Sequence, residues 1–240
     1  MEEFRLLADL HRRAERQGPG GDCETGKAID LARLDPSRPL RIADIGCGTG
    51  ASALQLARSL NAEITAIDFL PEFLQELRSR AGREGLEGKV DAVLGSMENL
   101  KLDHEAFDVI WSEGAIYNIG FQRGVSDWMR FLRPGGVLAV SEITWMSKAP
   151  PPEILRYWQS QYPEIATAST KMGILENTGY SPIGYLALPQ RCWLENYYRP
   201  LQRGFDAFLA RHAGSEQARA IVTAEEREIA LYEKYGEHYS

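Results

Sequence analysis

An α/β fold with a doubly wound, mostly parallel sheet is predicted by three features of this sequence. The apolar run at 40–45 passes without a spacer into Gly46-Cys47-Gly48-Thr49-Gly50 and then into a helical pattern from Ala51. A second apolar run ends in an acid, Asp68, about twenty residues beyond the glycines, where such folds place a ribose-binding carboxylate. Strand-like runs and helical stretches then alternate as far as Ile143. That order forces right-handed crossovers and parallel strands.

Taken in order, Phe4, Leu7, Leu10 and Ala14 recur at helical spacing and predict an amphipathic helix over 2–15. It breaks at Gln17-Gly18-Pro19-Gly20-Gly21, which reads equally as a plain linker or as a hinge that lets the helix close over a ligand. A second helix from about Cys23 to Leu34 stops at Asp35-Pro36. Then come the first strand and the glycines. Glycine at alternate positions lets the backbone turn sharply and lets something flat lie against it. The new helix offers free N–H groups at its first turn. The spacing is Asp44-x-Gly46-x-Gly48-x-Gly50 and not the Gly-x-Gly-x-x-Gly of a dinucleotide site. A carboxylate at Asp44 repels a pyrophosphate and suits a ligand that carries positive charge.

The second strand is predicted at 62–67 and the third at 89–94, followed by Gly95-Ser96-Met97-Glu98-Asn99-Leu100. Asp68 reads as the acceptor of two vicinal hydroxyls, with a helix N-cap ahead of Pro71-Glu72 as the structural alternative. Phe69 is placed to lie against a flat base. The fourth strand is 107–111, and Ser112-Glu113-Gly114-Ala115-Ile116-Tyr117 leaves its C-terminal end, the edge where ligands of open α/β sheets bind. A helix through Trp128 stops at Arg133-Pro134-Gly135-Gly136, and the fifth strand is expected at 137–143 with Glu142 near its end and Trp145 just beyond. Further helices are expected at 153–159, 170–177, 194–211 and 216–235, with a sixth strand at 183–188. No β-run follows, so either the sheet lacks its seventh strand or the chain is trimmed, and an irregular sheet edge is expected.

The Asp44 to Gly50 run resembles motif I of class I S-adenosylmethionine-dependent methyltransferases. Gly95 to Leu100 is similar to their Gly-Asp-Ala-Glu-Asn-Leu segment, with Ser96 where the aspartate stands. Leu132-Arg133-Pro134-Gly135-Gly136-Val137-Leu138 is a third segment typical of them. The resemblance spans 40–143 and is close to the small-molecule branch similar to ubiquinone- and menaquinone-type enzymes. It implies a Rossmann-like fold, S-adenosyl-L-methionine as donor and S-adenosyl-L-homocysteine as product. On this resemblance Asp44, Gly46, Cys47, Gly48 and Gly50 form the cofactor's floor. Asp68 takes the ribose, and Phe69, Ser96 and Met97 the adenine. Glu113 reaches the methionyl end, and Gln17 and Gly18 belong to a covering lid.

Methyl transfer from a sulfonium is an in-line displacement, with the nucleophile ~3–3.5 Å from the methyl carbon. A dry site lined by π-faces suits its dispersing positive charge. Trp111, Tyr117, Trp145, Trp193, Tyr197 and Tyr198 can supply such walls, and Glu113, Tyr117, Glu142, Trp145 and Tyr197 form the candidate catalytic set. Glu113 and Glu142 lie at strand ends. They can bind an ammonium or take a proton, or simply pair with an arginine or a helix N-terminus. If a carboxylate meets the substrate, an amine is favoured over a carboxylic acid. His11, His104, His212 and His238 lie away from this edge and read as surface residues.

The domain map is one unit of 240 residues: a helical lid at 1–36, a cofactor-binding core at 37–147 and substrate-side helices with the sixth strand at 148–240. A net charge of −7 disfavours nucleic acid and anionic membrane as partners, leaving a small-molecule substrate, with a homodimer allowed. Three cysteines without a C-x-x-C pair support neither a disulfide framework nor a metal site, and with no signal-peptide pattern they point to the reducing cytoplasm. A non-catalytic S-adenosylmethionine-binding sensor or partner subunit is the alternative, and a nucleotide-dependent oxidoreductase is a third reading that Asp44 opposes.

Overall fold

A computed structural model describes residues 2–240 and contains one five-stranded parallel sheet in the order β3-β2-β1-β4-β5. At its centre lies β1 (Leu40–Ile45), whose Ile42, Ala43 and Ile45 are wholly buried. Such a continuous apolar run is what a strand covered by helices on both faces requires. On one side of it stand β2 (Ala62–Asp68) and β3 (Val90–Leu94), and on the other β4 (Phe107–Ser112) and β5 (Leu132–Val140). The chain therefore winds outward from β1 and returns to its other flank at β4. The crevice at the C-terminal ends of these two strands is the topological switch point, where ligands of open α/β sheets bind.

One face of the sheet packs on α2 (Asp22–Leu31), α3 (Ala51–Ser59) and α4 (Pro71–Glu84), through Ile29, Leu54, Leu56, Leu74 and Leu77. The other packs on α5 (Phe121–Trp128) and α7 (Ala168–Thr178), through Phe121, Val125, Trp128, Ile174 and Leu175. A third core is wholly separate from these. It joins α1 (Glu2–His11) at the start of the chain to α6 (Pro152–Gln161), α8 (Gln190–Trp193), α9 (Arg199–Arg211) and α10 (Glu216–Tyr235). Leu6 and Leu10 of α1 share this core with Trp158, Phe205, Phe208 and Tyr232, so α1 and the later helices build one helical cover above the switch point.

Two expectations are corrected. The expected sixth strand at 183–188 forms no strand and pairs with no strand among the described residues, and Ile183 and Tyr185 stand exposed. An alternating apolar segment becomes a strand only where a neighbour offers its backbone, and the outer edge of β5 lies across a groove from it. That groove, about 1160 Å³, runs between Pro134–Val140 and Tyr180–Leu188. The fifth strand begins at Leu132, five residues early, because the Pro134-Gly135-Gly136 stretch is absorbed as a register shift opposite Phe107 and Val109. Beyond it, β6 (Thr144–Trp145) pairs with β7 (Ala166–Thr167), and Tyr239 bridges Trp145 antiparallel. Among the described residues, no helix is long and apolar enough to cross a membrane.

The turn from β1 into α3 is a demanding point of this frame. Gly50 has φ +89°, and a Cβ there would lie 2.1 Å from Leu77 Cδ1 of α4. Gly50→Ala is expected to destabilise the protein by about 1–3 kcal/mol, measured as a lower urea midpoint with an unchanged slope.

Candidate active site

The glycine loop is held in place before any ligand arrives. Gly46 and Gly48 adopt φ of +75° and +55°, and a Cβ on Gly48 would fall 2.3 Å from Gln17 Oε1. Gly46 and Cys47 donate their N–H groups to the Ile67 carbonyl at 2.8 and 3.0 Å. Asp68 accepts from Gly48 N through Oδ2 and from Leu70 N through Oδ1, both at 2.9 Å. The end of β2 thus fixes both the loop and the entry into α4, so Asp68 carries the turn-forming role as well as facing the cavity. Burial pushes its carboxyl up, against the three backbone N–H groups that hold it.

Asp44 lies one layer below and is wholly buried. Its Oδ2 accepts from Ser52 Oγ at 2.7 Å, while Oδ1 has no partner among the described residues. Burial pushes this carboxyl up to about 7, with the charges of Glu113 and Asp68 adding to the rise and Ser52 opposing it. A buried acceptor without a donor is a costly arrangement that a nearby cation relieves.

The segment between α1 and α2, expected as linker or hinge, is pinned at several points. Gln17 Oε1 accepts from Thr49 N at 2.8 Å, and its Nε2 donates to Thr49 Oγ1 at 3.0 Å and Ala14 O at 3.1 Å. Arg16 donates to Glu113 Oε2 at 2.8 Å and to Asp22 Oδ1 at 3.1 Å. Glu113 Oε1 in turn accepts from Thr25 Oγ1 at 2.8 Å and Trp111 Nε1 at 2.9 Å. Both carboxylate oxygens of Glu113 are therefore satisfied within the protein, which suits a structural clamp and leaves no free base. The sequence reading missed Arg16; its only signal was a basic residue next to the glycine-rich break.

Loop and lid enclose a cavity of about 360 Å³. Gly46, Cys47, Gly48, Asp68, Phe69 and Met97 line its lower part. Gln17, Gly18, Glu113, Tyr117 and Tyr197 line the upper part. Gly50 and Asp44 support the floor from behind. Two expected site residues are elsewhere. Ser96 is exposed and its Oγ accepts from Glu98 N at 3.3 Å, so the turn itself consumes the hydroxyl. Trp145 packs in the helical core against Tyr239, because the β6–β7 pair turns it away from the switch point. Of the other expected aromatic walls, Trp111, Trp193 and Tyr198 are core residues as well.

Glu142 is also placed differently from expectation. It lies in the neighbouring groove, where Oε1 accepts from Lys171 Nζ and Tyr162 OH, each at 2.6 Å. Lys171 is itself buried, over the rings of Phe121 and Tyr162. Burial pushes Glu142 up and Lys171 draws it down, an ion pair that locks α7 to the end of β5. The reading of all four histidines as surface residues fails for His11. It is 9% exposed, lines the cavity and lies nearly parallel to the Tyr197 ring at 6.2 Å. Glu225 and Glu228 of α10 join it on the lid side. Helical periodicity alone could not separate these two acids from the solvated face beside them.

Arg16→Met is expected to cost ~3 kcal/mol, because it leaves Glu113 half-enclosed without its cation. Adding Glu113→Gln should recover part of that loss, and a double-mutant cycle in urea measures the coupling.

Comparison with known proteins follows the same outline. A family profile described as a methyltransferase domain matches residues 42–136. The chain is 35% identical over 112 residues to "Methyltransferase GfsG" of Streptomyces halstedii, covering 46% of this chain and 40% of that protein. It thus spans less than half of that relative's length. A methyltransferase from Geobacter sulfurreducens, solved with S-adenosyl-L-homocysteine, superposes with a TM-score of 0.83 at 20% identity, over 100% of this chain and 94% of that one. YjhP from E. coli superposes at 0.85, also at 20% identity, over 98% and 96%. At such identity these two structures speak for the fold alone. The methyltransferase-domain match covers residues 42–136, from β1 into β5, so this part of the chain is similar to methyltransferases and the whole chain shares their fold.

Proposed function

We propose that this protein transfers the methyl group of S-adenosylmethionine to a small-molecule acceptor held beneath the helical lid. The observation that carries this reading is the single cavity that runs from the glycine loop and Asp68 to the lid wall at Tyr117 and Tyr197. The residues present fit the donor. Gly46 and Gly48 leave the floor without side chains, Asp68 faces the cavity with lone pairs to spare for ribose hydroxyls, and Phe69 and Met97 flank a flat base. The unpartnered Oδ1 of Asp44 fits a ligand with positive charge above it. S-adenosylmethionine, when bound, supplies an electrophilic methyl group on a sulfonium.

What the chain contributes is mainly position. The Arg16–Glu113 and Gln17–Thr49 contacts hold the lid over the loop, which keeps water out and fixes the acceptor against the donor. Tyr117 and Tyr197 present aromatic walls where the methyl group is expected to move. Binding without transfer to any acceptor would instead favour a sensor or partner subunit.

Asp68→Ala should weaken S-adenosylhomocysteine binding at least about tenfold by titration calorimetry, since a charge-assisted pair to the ribose is lost. Undiminished affinity would remove the residue from the site. Asp44 gives a pH dependence with a fixed sign. Its folded value is raised from 3.8 to about 7, so the stability it contributes is full at low pH and is lost as pH rises through about 7. A cation above the carboxyl favours its ionised form, so S-adenosylhomocysteine affinity should rise across the same interval. Asp44→Asn should flatten both trends, seen as thermal midpoints and calorimetric affinities compared with the parent at each pH.

A further inference from the structure

We propose that the methyl acceptor is a small amine, received as an ammonium in a recess walled by Glu225, Glu228, Tyr117 and Tyr197. This inference rests on the methyl-transfer reading and names its substrate class.

Glu225 and Glu228 stand three residues apart on α10, so they share one helix face, and that face lines the cavity. Glu228 is held by two phenols: Tyr198 OH donates to Oε1 and Tyr157 OH to Oε2, both at 2.9 Å. Those bonds aim the carboxylate without neutralising it. Among the described residues no lysine or arginine forms an ion pair with Glu228, and Glu225 meets only His11 Nε2 at 3.6 Å. The one arginine lining the cavity, Arg16, is already engaged by Glu113 and Asp22. His11 is nine-tenths buried, and its Nδ1 has no partner among the described residues. The lid side of the cavity therefore carries two carboxylates against a single imidazole, beside aromatic rings.

Enclosed carboxylates without a cation are costly, and aromatic faces add attraction for a cation that arrives between them. A neutral alcohol or phenol satisfies neither charge, and a carboxylic acid is repelled. The carboxylates that the sequence offered for an amine, Glu113 and Glu142, are spent on Arg16 and Lys171. Burial first, then Glu225, pushes Glu228 up, a rise that a bound ammonium reverses.

The chemistry balances with these groups. The ammonium yields one proton to the Glu225–His11 pair, which frees the nitrogen lone pair. That lone pair attacks the methyl carbon, the N–C bond forms as the C–S bond breaks, and the bonding pair stays on sulfur as a neutral thioether. The methylated product leaves as its ammonium form, and the proton held by the pair passes to solvent.

The test uses the whole protein saturated with S-adenosylhomocysteine, titrated with choline and with its neutral isostere 3,3-dimethylbutan-1-ol. Choline is expected to bind about tenfold or more tightly than the isostere. Glu228→Gln and Glu225→Gln, each checked for an unaltered thermal midpoint, should erase that preference and leave S-adenosylhomocysteine affinity within about twofold. A labelled-methyl panel should then place label on primary or secondary amines. Choline binding no tighter than the isostere overturns the inference, as does label on phenols or alcohols alone. So does a loss of S-adenosylhomocysteine affinity with the choline preference intact, since the acids would then serve the donor. Failure of the parent protein to bind S-adenosylhomocysteine at all is a separate result, and it defeats the methyl-transfer reading instead.

Discussion

The ion pair between Arg16 and Glu113 fixes where the lid meets the sheet. Glu113 emerges at the C-terminal end of β4, beside the switch point, and Arg16 sits in the segment between the first two helices. Thr25 and Trp111 complete the carboxylate's hydrogen bonds, so the arrangement is both charged and saturated. Gln17, the next residue, then grips the backbone of Thr49 in the glycine loop. Two adjacent side chains thus join the start of the chain to two different strand ends. The lower and upper walls of the cavity exist as one enclosure because of them.

Electrostatic satisfaction divides the acids of this region into two groups. Glu113 and Glu142 meet buried cations and act in assembly: one closes the lid and the other fastens α7 beneath it. Among the described residues, Asp44, Glu225 and Glu228 form no ion pair with a lysine or arginine, whereas Asp44 is held by Ser52 and Glu225 meets His11. An unpaired carboxylate in a confined place favours an incoming positive charge, so the second group is where ligand recognition is to be sought. The distinction is one of partners; strand-end position alone does not make it.

Much of the frame was legible in the residue order. The apolar run at β1, the alternating glycines and the acid at the end of β2 are local signals, and the helix at Glu216–Tyr235 is periodic enough to be bounded correctly. The lining of the candidate cavity was legible where it depends on the loop itself, at Gly46, Gly48, Asp68, Phe69 and Met97. Ser96 and Trp145 misled because a side chain's direction depends on the turn or short strand that carries it. The segment at 183–188 has strand-like residues but no paired neighbour, which an intrinsic preference cannot reveal.

The sequence by itself determined the doubly wound sheet and the glycine-floored site, because strand, turn and helix preferences act over a few neighbouring residues. It also carried the family resemblance in three short segments between Leu40 and Ile143. Tertiary structure decided the lid. His11 lies more than two hundred residues from Glu225, and only the packing of α1 against α9 and α10 brings them to 3.6 Å. It decided likewise which carboxylates are neutralised, since charge pairing depends on distance in space. The glycine-floored end of the cavity is therefore local in sequence, and the lid end is a product of the fold.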